Sequence, residues 1–251
     1  MLTDRYSNEI LKLSEIINAS NRIVFFGGAG VSTESGIPDF RSQTGLYSGK
    51  LQTSEPPEIM LSYDYFINYP GQFYEFYRKN MLFLDAKPNK AHKALKKLED
   101  DGRLLAVITQ NIDGLHFEAG SKAVYELHGS CLRNYCMSCN ELYAVDIIQE
   151  SKEVPICLKC GGIIRSDVVL YGEGLDQRVV GEALDAIEKA DTLIIGGTSL
   201  EVNPAASFVE YFGGDCLVII NMSPTRFDQR ASLIIRSPIG EVLEASVNCK
   251  G

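Results

Sequence analysis

The stretch that follows the apolar run at residues 23–26 constrains the fold more than any other part of the chain. Four apolar residues that end at Gly27 and Gly28 are typical of a buried strand that stops in a tight turn. A glycine turn at such a strand end lets backbone N–H groups come close to a phosphate. The pattern predicts a strand and a ligand-binding loop, although turn glycines alone also fit a loop without a ligand.

The loop itself, residues 28–41, reads GAGVSTESGIPDFR and combines hydroxyls, an acid, an aromatic ring and a guanidinium. A dinucleotide presents phosphates, ribose hydroxyls and a flat base, so this combination suits one. The usual dinucleotide fingerprint differs, because it has a third glycine where this chain has Thr33 and an acid about 20 residues farther on.

Helical and strand patterns alternate along the chain. The predicted helices are residues 8–18, 91–98, 180–187 and 205–212, and the predicted strands are residues 22–26, 104–109, 192–195 and 216–220. This alternation predicts an α/β fold, a Rossmann-like parallel sheet with helices on both faces. Ligands of such sheets bind beyond the carboxyl ends of the strands. The polar residues at those ends are Gln110, Asn111, Asp113, Thr198, Ser199 and Asn221.

An aromatic-rich segment lies between the first loop and the second strand. One helical stripe in it contains Phe73, Phe76, Tyr77, Met81 and Leu84, and we interpret this stripe as core packing.

Two Cys-x-x-Cys pairs indicate a metal site. Seventeen residues separate the first pair, Cys136 and Cys139, from the second, Cys157 and Cys160. This spacing is typical of a structural zinc ribbon, and four thiolates leave no open position for catalysis. Four unligated thiols are the alternative.

Composition favours some classes of function over others. The net charge of −9 argues against nonspecific nucleic-acid binding through a basic surface. No apolar run approaches the ~18 residues that span a bilayer, and the first residues show no hydrophobic signal-peptide block. We therefore expect a cytoplasmic protein with no membrane or direct nucleic-acid partner.

Several of these motifs together resemble the sirtuins, NAD-dependent protein deacylases. The matching features are GAGxSxxSGIPDFR at 28–41, TQNIDGLH at 109–116, His128-Gly129, the cysteine pairs and Gly197-Thr198-Ser199. The resemblance spans residue 22 to about residue 243. It implies an NAD-binding Rossmann-like domain at 1–42, 89–130 and 166–251, a helical insertion at 43–88 and a zinc-ribbon insertion at 131–165.

The resemblance also implies roles for individual residues. His128 would be the general base, for which an imidazole with a pKa of ~6.5 is suited, and Asn111 would act beside it. The NAD contacts would be Ala29, Thr33, Phe40, Arg41, Gln110, Asn111, Ile112, Asp113, Thr198, Ser199, Asn221 and Ile239. The acyl-lysine peptide would bind between Val169, Tyr171 and Gly172 on one side and Val202 on the other. One structural zinc ion would bind to the four cysteines.

The reaction implied is removal of acetyl groups from protein lysines, with nicotinamide, O-acetyl-ADP-ribose and free lysine as products. The chain departs from the family pattern at Ser166 and Asp176, where prolines are common, and at Tyr171, where phenylalanine is usual. Mono-ADP-ribosyl transfer is a rival enzymatic reading. A non-catalytic NAD- or zinc-binding protein is a second rival, against which the presence of His128 and Asn111 argues.

Two further expectations concern side chains near the site. Of the other histidines, His92 is expected at the surface or in a helix cap, and His116 is expected to pack. Family members that remove succinyl groups share a Tyr-x-x-Arg pair, and the aligned residues here are Tyr74 and Tyr77. Arg78 is turned ~100° away on a helix, so we expect deacetylation with little desuccinylation.

Overall fold

A computed structural model describes residues 7–40, 45 and 55–249. Its strands are β1 (Ile23–Gly27), β2 (Leu104–Thr109), β3 (Val124–Glu126), β4 (Gly129–Cys136), β5 (Leu142–Tyr143), β6 (Ile164–Val168), β7 (Thr192–Gly196), β8 (Cys216–Ile220) and β9 (Leu233–Ile235). Its α-helices are α1 (Ser7–Ala19), α2 (Pro57–Met60), α3 (Tyr63–Asn68), α4 (Pro70–Asn80), α5 (Lys90–Asp100), α6 (Leu115–Glu118), α7 (Asp146–Gln149), α8 (Gln177–Lys189) and α9 (Ile239–Asn248).

The larger sheet confirms the predicted α/β fold. Its strand order is β3-β2-β1-β7-β8-β9, and every neighbouring pair is parallel. The chain runs outward from β1 in one direction through β2 and β3, and in the other through β7, β8 and β9. The order therefore reverses between β1 and β7, which is where open α/β sheets form their binding crevice.

Successive residues of β1 face two separate cores. Phe25 packs with the apolar sides of α1, α5 and α9, and Phe26 packs with α8 and the 3-10 helix Ala205–Tyr211. Both rings are fully buried, and removing either ring would cost about 3–5 kcal/mol of stability. The sheet is covered on both faces, so the polar side chains beyond its strand ends are held on a rigid base.

A smaller antiparallel sheet, in the order β5-β4-β6, lies beside the larger one. Its strand β6 was not predicted, because the alternating charged and polar residues of Ile164–Val168 do not read as a buried strand. The small sheet packs on helices α2 to α4 around a third core that contains Phe66, Phe73, Tyr74 and Ile148.

Two predicted helices differ from the structure. Helix α4 ends at Asn80, so Met81 and Leu84 lie beyond it, while Phe73, Phe76 and Tyr77 are buried as expected. The predicted helix 205–212 is a 3-10 helix over Ala205–Tyr211. None of the helices in the described ranges combines the length and the apolar character needed to span a bilayer.

Candidate functional site

A cavity of about 1180 Å³ opens at the carboxyl ends of β1, β2, β7 and β8. Its volume and its mixture of amide, hydroxyl and carboxylate groups fit an extended polar ligand such as a dinucleotide. Arg41 lies outside the described residues. All the other residues predicted to contact cofactor or substrate, and the predicted base, line this cavity: Ala29, Thr33, Phe40, Gln110, Asn111, Ile112, Asp113, His128, Val169, Tyr171, Gly172, Thr198, Ser199, Val202, Asn221 and Ile239.

The glycine turn after β1 is shaped by its contact with the loop after β7. A Cβ atom on Gly30 would lie 2.8 Å from the Cα atom of Gly197, and one on Gly28 would lie 2.7 Å from the Cβ atom of Thr198. The Gly28 amide donates to Gly196 O and the Gly30 amide to Gly197 O, at 3.2 and 2.8 Å. These two amides are therefore paired within the protein, and the glycines allow two strand ends to pack closely.

Three side chains form one hydrogen-bonded group in the cavity: Ser32 from the loop after β1, and Asn111 and Asp113 from the loop after β2. Asn111 Nδ2 donates to Ser32 Oγ at 3.0 Å, and Ser32 Oγ donates to Asp113 Oδ2 at 2.6 Å. Asp113 Oδ1 accepts from the Leu115 amide at 2.9 Å. Burial raises the pKa of Asp113, and the bonds from Ser32 and Leu115 act in the opposite direction. The group presents fixed amide and carboxylate atoms, which suit recognition of a carboxamide.

His128 occupies the junction between the two sheets. Strand β3 ends at Glu126 and β4 begins at Gly129, whose φ is +74°. A Cβ atom on Gly129 would lie 1.9 Å from the carbonyl oxygen of Asp167, so only glycine fits there. The chain therefore turns sharply directly after His128, and the imidazole is left facing the cavity.

The tautomer of His128 follows from its partner. Nδ1 lies 2.9 Å from the carbonyl oxygen of Gln110, and because a carbonyl can only accept, Nδ1 carries the hydrogen. Nε2 then keeps a lone pair, as a general base requires. Burial lowers the pKa of His128, and the Gln110 hydrogen bond opposes that shift. The ring is therefore neutral at pH 7.

The four predicted cysteines lie together at one end of the small sheet. All four Sγ atoms are within 4.8 Å of one another, with Cys136 and Cys160 at 3.4 Å and Cys139 and Cys157 at 3.6 Å. A tetrahedron with Zn–S arms of ~2.3 Å has S–S edges of about 3.8 Å. The cluster fits one zinc ion. The hydroxyl of Tyr143 lies 3.1 Å from Cys157 Sγ and adds an outer contact.

The family of the chain follows from comparison with known proteins. A model of the Sir2 family matches residues 28–204, which is most of the chain. The chain belongs to the Sir2 family. It is 58% identical over 237 residues to an NAD-dependent protein deacetylase of Clostridium perfringens, and the match covers 94% of this chain and 97% of that protein. It is 54% identical over 241 residues to the corresponding protein of Clostridium acetobutylicum, with 96% and 98% covered.

Solved Sir2 structures have the same fold. A Sir2 complex with p53 peptide and NAD+ is 42% identical to this chain, with a TM-score of 0.80 and with 94% and 95% of the two chains covered. A Sir2 complex with a deacetylated p53 peptide and 3'-O-acetyl ADP-ribose is 40% identical, with a TM-score of 0.85 and 94% and 96% covered.

In this Sir2-family chain Asn89, which sequence reasoning did not single out, holds the loop after β1. Its Nδ2 atom donates to Val31 O at 2.8 Å and to Ser35 Oγ at 3.0 Å. Its Oδ1 atom caps helix α5 by accepting from the Ala91 amide, and the Asn89 amide donates to His92 Nδ1. The only signal in the sequence was an asparagine two residues before the predicted helix 91–98, which indicates an N-cap and not a tether.

Glu34 holds the same loop from another side. Its Oε1 atom accepts from the Gly240 amide at 2.7 Å, at the first turn of α9. A carboxylate at a helix N-terminus is favourable because unpaired amides and the helix dipole face it. The loop that lines the cavity is thus tied to α5 and to α9.

The remaining histidines lie away from the cavity lining. His92 is buried, so the expectation of a surface position is wrong, while the expectation of a helix cap is confirmed by its bond to Asn89. His116 is buried and packs against His92 and Phe25, as expected.

Helix α4 presents Tyr77, and not Tyr74, to the cavity. The Tyr74 hydroxyl donates to Ile164 O at 2.5 Å, inside the third core. The Arg78 guanidinium donates to Glu153 O at 2.9 Å and lies 5.9 Å from the centre of the Tyr74 ring, and Arg78 is not among the residues that line the cavity. No lysine or arginine is found among the described residues that line the cavity.

Proposed function

We propose that this chain removes acetyl groups from protein lysines with NAD as its second substrate, and that the products are free lysine, nicotinamide and O-acetyl-ADP-ribose. The observation that carries the proposal is the position of His128, whose base-competent Nε2 atom belongs to a side chain lining the same cavity as Asn111 and Asp113. Relatives that are more than half identical over nearly their whole length are NAD-dependent protein deacetylases.

NAD supplies the ADP-ribosyl group that accepts the acetyl group and releases nicotinamide. The Ser32–Asn111–Asp113 group would hold the carboxamide end of this substrate. Gln110, whose Oε1 atom accepts from Thr198 Oγ1 at 2.9 Å, would face the ribose from the ends of β2 and β7.

His128 would take a proton from a ribose hydroxyl, and its ring orientation is set by the Gln110 carbonyl. Phe40 lines the cavity and would exclude water from the reacting sugar. Ala29, Thr33, Ser199, Asn221 and Ile239 would complete the NAD contacts, with Arg41 on the phosphates.

The acetyl-lysine peptide would lie along Val169, Tyr171 and Gly172, opposite Val202. The Tyr171 amide and carbonyl are both bonded to the connection between α2 and α3: the amide donates to Leu61 O, and the carbonyl accepts from the Tyr63 amide. Main-chain pairing with a peptide would therefore use neighbouring backbone groups.

The four cysteines would hold one zinc ion that stabilises the small sheet. A cytoplasmic location suits this proposal, because thiols stay reduced there and can bind metal. None of the seven cysteines forms a disulfide.

We also propose the domain division given above, with residues 43–88 and 131–165 as the two insertions.

One experiment tests the function directly. The protein is incubated with NAD and with acetyl-, succinyl- and long-chain acyl-lysine peptides of one sequence, and the products are identified by mass spectrometry. The proposal requires nicotinamide and O-acetyl-ADP-ribose in equal amounts with deacetylated peptide. Transfer of ADP-ribose to the peptide, or no NAD-dependent product, would refute it.

A further inference from the structure

Residues 168–173, here called the substrate segment, line one wall of the cavity with little regular structure of their own. Strand β6 ends at Val168, Tyr171 forms an isolated bridge to Ser62, and Gly172 is in the left-handed region with φ +92°. Between Val168 and Tyr171 the backbone is bonded to a neighbouring strand end through the Val169 amide, which donates to His128 O at 3.0 Å. A binding wall of this kind needs anchors from outside if it is to keep one shape.

Arg165 supplies such an anchor. Its Nη1 and Nη2 atoms donate to Glu173 Oε1 and Oε2, both at 2.8 Å, and Nη2 also donates to Val168 O at 2.8 Å. The Arg165 side chain is 10% exposed and that of Glu173 is 23% exposed. A two-point contact between a guanidinium and a carboxylate fixes direction as well as distance. Arg165 thus joins the first and last residues of the segment.

Glu173 completes the arrangement from the other end. Its Oε2 atom accepts from the Leu170 amide at 2.9 Å, and the Glu173 amide donates to Leu170 O at 3.0 Å. One carboxylate therefore holds the middle of the substrate segment and also binds Arg165.

Helix α3 provides the remaining contacts. The Arg165 guanidinium carbon lies 5.5 Å from the centre of the Phe66 ring and 5.9 Å from that of Tyr63, within the range of cation–π attraction. The Tyr63 amide donates to Tyr171 O at 2.9 Å. The substrate segment is thus held on one side by Arg165 of the small sheet and on the other by Tyr63 of α3.

We propose that Arg165 and Glu173 are positioning residues for the acylated peptide, and that they set peptide affinity through the substrate segment without contacting the cofactor. This inference rests on the proposed function for the identity of the ligand. Arg165 is not among the residues that line the cavity, and Glu173 lines it with both carboxylate oxygens bonded to Arg165 or to the Leu170 amide, so both side chains act through the backbone of residues 168–173.

The test compares variants that differ in which charges of the Arg165–Glu173 pair remain buried. Glu173→Gln leaves the Arg165 charge unpaired, which destabilises a fold by itself. The double variant Arg165→Met/Glu173→Gln leaves no unpaired charge and removes the link between residues 168 and 173. Arg165→Lys keeps the charge but cannot make the two-point contact. Glu182→Gln, which breaks an exposed pair with Arg178 on α8, is the matched control.

We expect the double variant to unfold thermally near the wild type and to bind ADP-ribose with unchanged affinity. Its KM for acetyl-lysine peptide should rise at least about tenfold, while its KM for NAD changes less than about twofold. The peptide KM of Arg165→Lys should lie between those of the wild type and the double variant. Glu182→Gln should have the peptide KM of the wild type.

Two outcomes overturn the inference: an unchanged peptide KM in the folded double variant, or an equal loss of peptide and ADP-ribose binding, which would show general loss of structure. Peptide affinity is also measured by fluorescence anisotropy without NAD. That measurement tests the positioning role even if the wild-type protein shows no deacetylation and the proposed function fails.

Discussion

The imidazole rings of His92 and His116 lie 4.7 Å apart, centre to centre, and both are buried. Burial lowers the pKa of His92 to about 4 and that of His116 well below its ordinary value. Three of their four ring nitrogens have no hydrogen-bond partner in the described structure, and the fourth accepts from the Asn89 amide. The pair is therefore neutral in the fold and cannot accept protons without disturbing it.

This pair predicts loss of stability in mild acid. The unfolded chain takes up protons near pH ~6.5, and the folded chain does so only near the lowered values. The free energy of unfolding is thus unaffected above pH ~6.5 and falls below it, by up to about 1.4 kcal/mol per pH unit for each histidine. His92→Gln keeps an acceptor for the Asn89 amide and does not titrate. The free energy of unfolding, measured with urea between pH ~7 and ~5, should fall less steeply with decreasing pH in the variant than in the wild type. An equal pH dependence in both proteins would contradict the prediction.

Replacement of His128 tests the base directly. His128→Ala should lower the deacetylation rate by roughly two to four orders of magnitude, the usual contribution of a general base, with ADP-ribose affinity and melting temperature retained. In the wild type, kcat/KM should fall on the acid side only below pH ~6.5, because burial lowers the pKa of the ring. Near-normal turnover in the variant would show that another group is the base.

Loss of zinc should affect the fold more than the chemistry. Cys157→Ser removes one of four ligands, and because metal binding contributes directly to folding at such sites, we expect zinc and the small sheet to be lost together. Elemental analysis should give about one zinc per wild-type chain. Cys249→Ser, outside the cluster, is the control. Full activity in metal-free protein would exclude this role.

The acyl preference follows from the lack of a cation among the described cavity residues. A succinyl carboxylate buried beside Tyr77 would have no such partner, at a cost of several kcal/mol, whereas an acetyl group needs none. We expect kcat/KM for an acetyl peptide to exceed that for the succinyl peptide by roughly a hundredfold or more. Similar values would show that a cation outside the described residues reaches the acyl group.

Asn89 offers a way to separate helix capping from loop attachment. Asn89→Asp keeps the oxygen that caps α5 but loses the amide that donates to Val31 O and Ser35 Oγ. We expect its thermal stability to stay close to the wild type and its KM for NAD to rise several-fold. Asn89→Ala should also lose about 1 kcal/mol of stability through the missing cap. Equal KM values in all three proteins would show that the loop needs no tether.

The sequence predicted the parallel sheet well because its strands are uninterrupted apolar runs. Leu104–Thr109 and Cys216–Ile220 have the predicted bounds, and the polar residues after them line one cavity. Strand β6 was missed because Arg165 and Asp167 break the apolar pattern, and the ion pair that lets Arg165 be buried is made with Glu173, outside the strand. The contacts of Asn89 and Glu34 were missed because they join residues 54 or more positions apart, which no local pattern records.

The turn at Gly129 places His128 where the two sheets are joined. The chain passes from the parallel sheet to the small sheet within the two residues after Glu126. The His128 carbonyl accepts from the Val169 amide at 3.0 Å. The imidazole N–H that meets Gln110 O is therefore a natural spectroscopic reporter. Its proton resonance should broaden or move when the small sheet detaches from an intact parallel sheet, so this one nucleus would report whether the two sheets are docked.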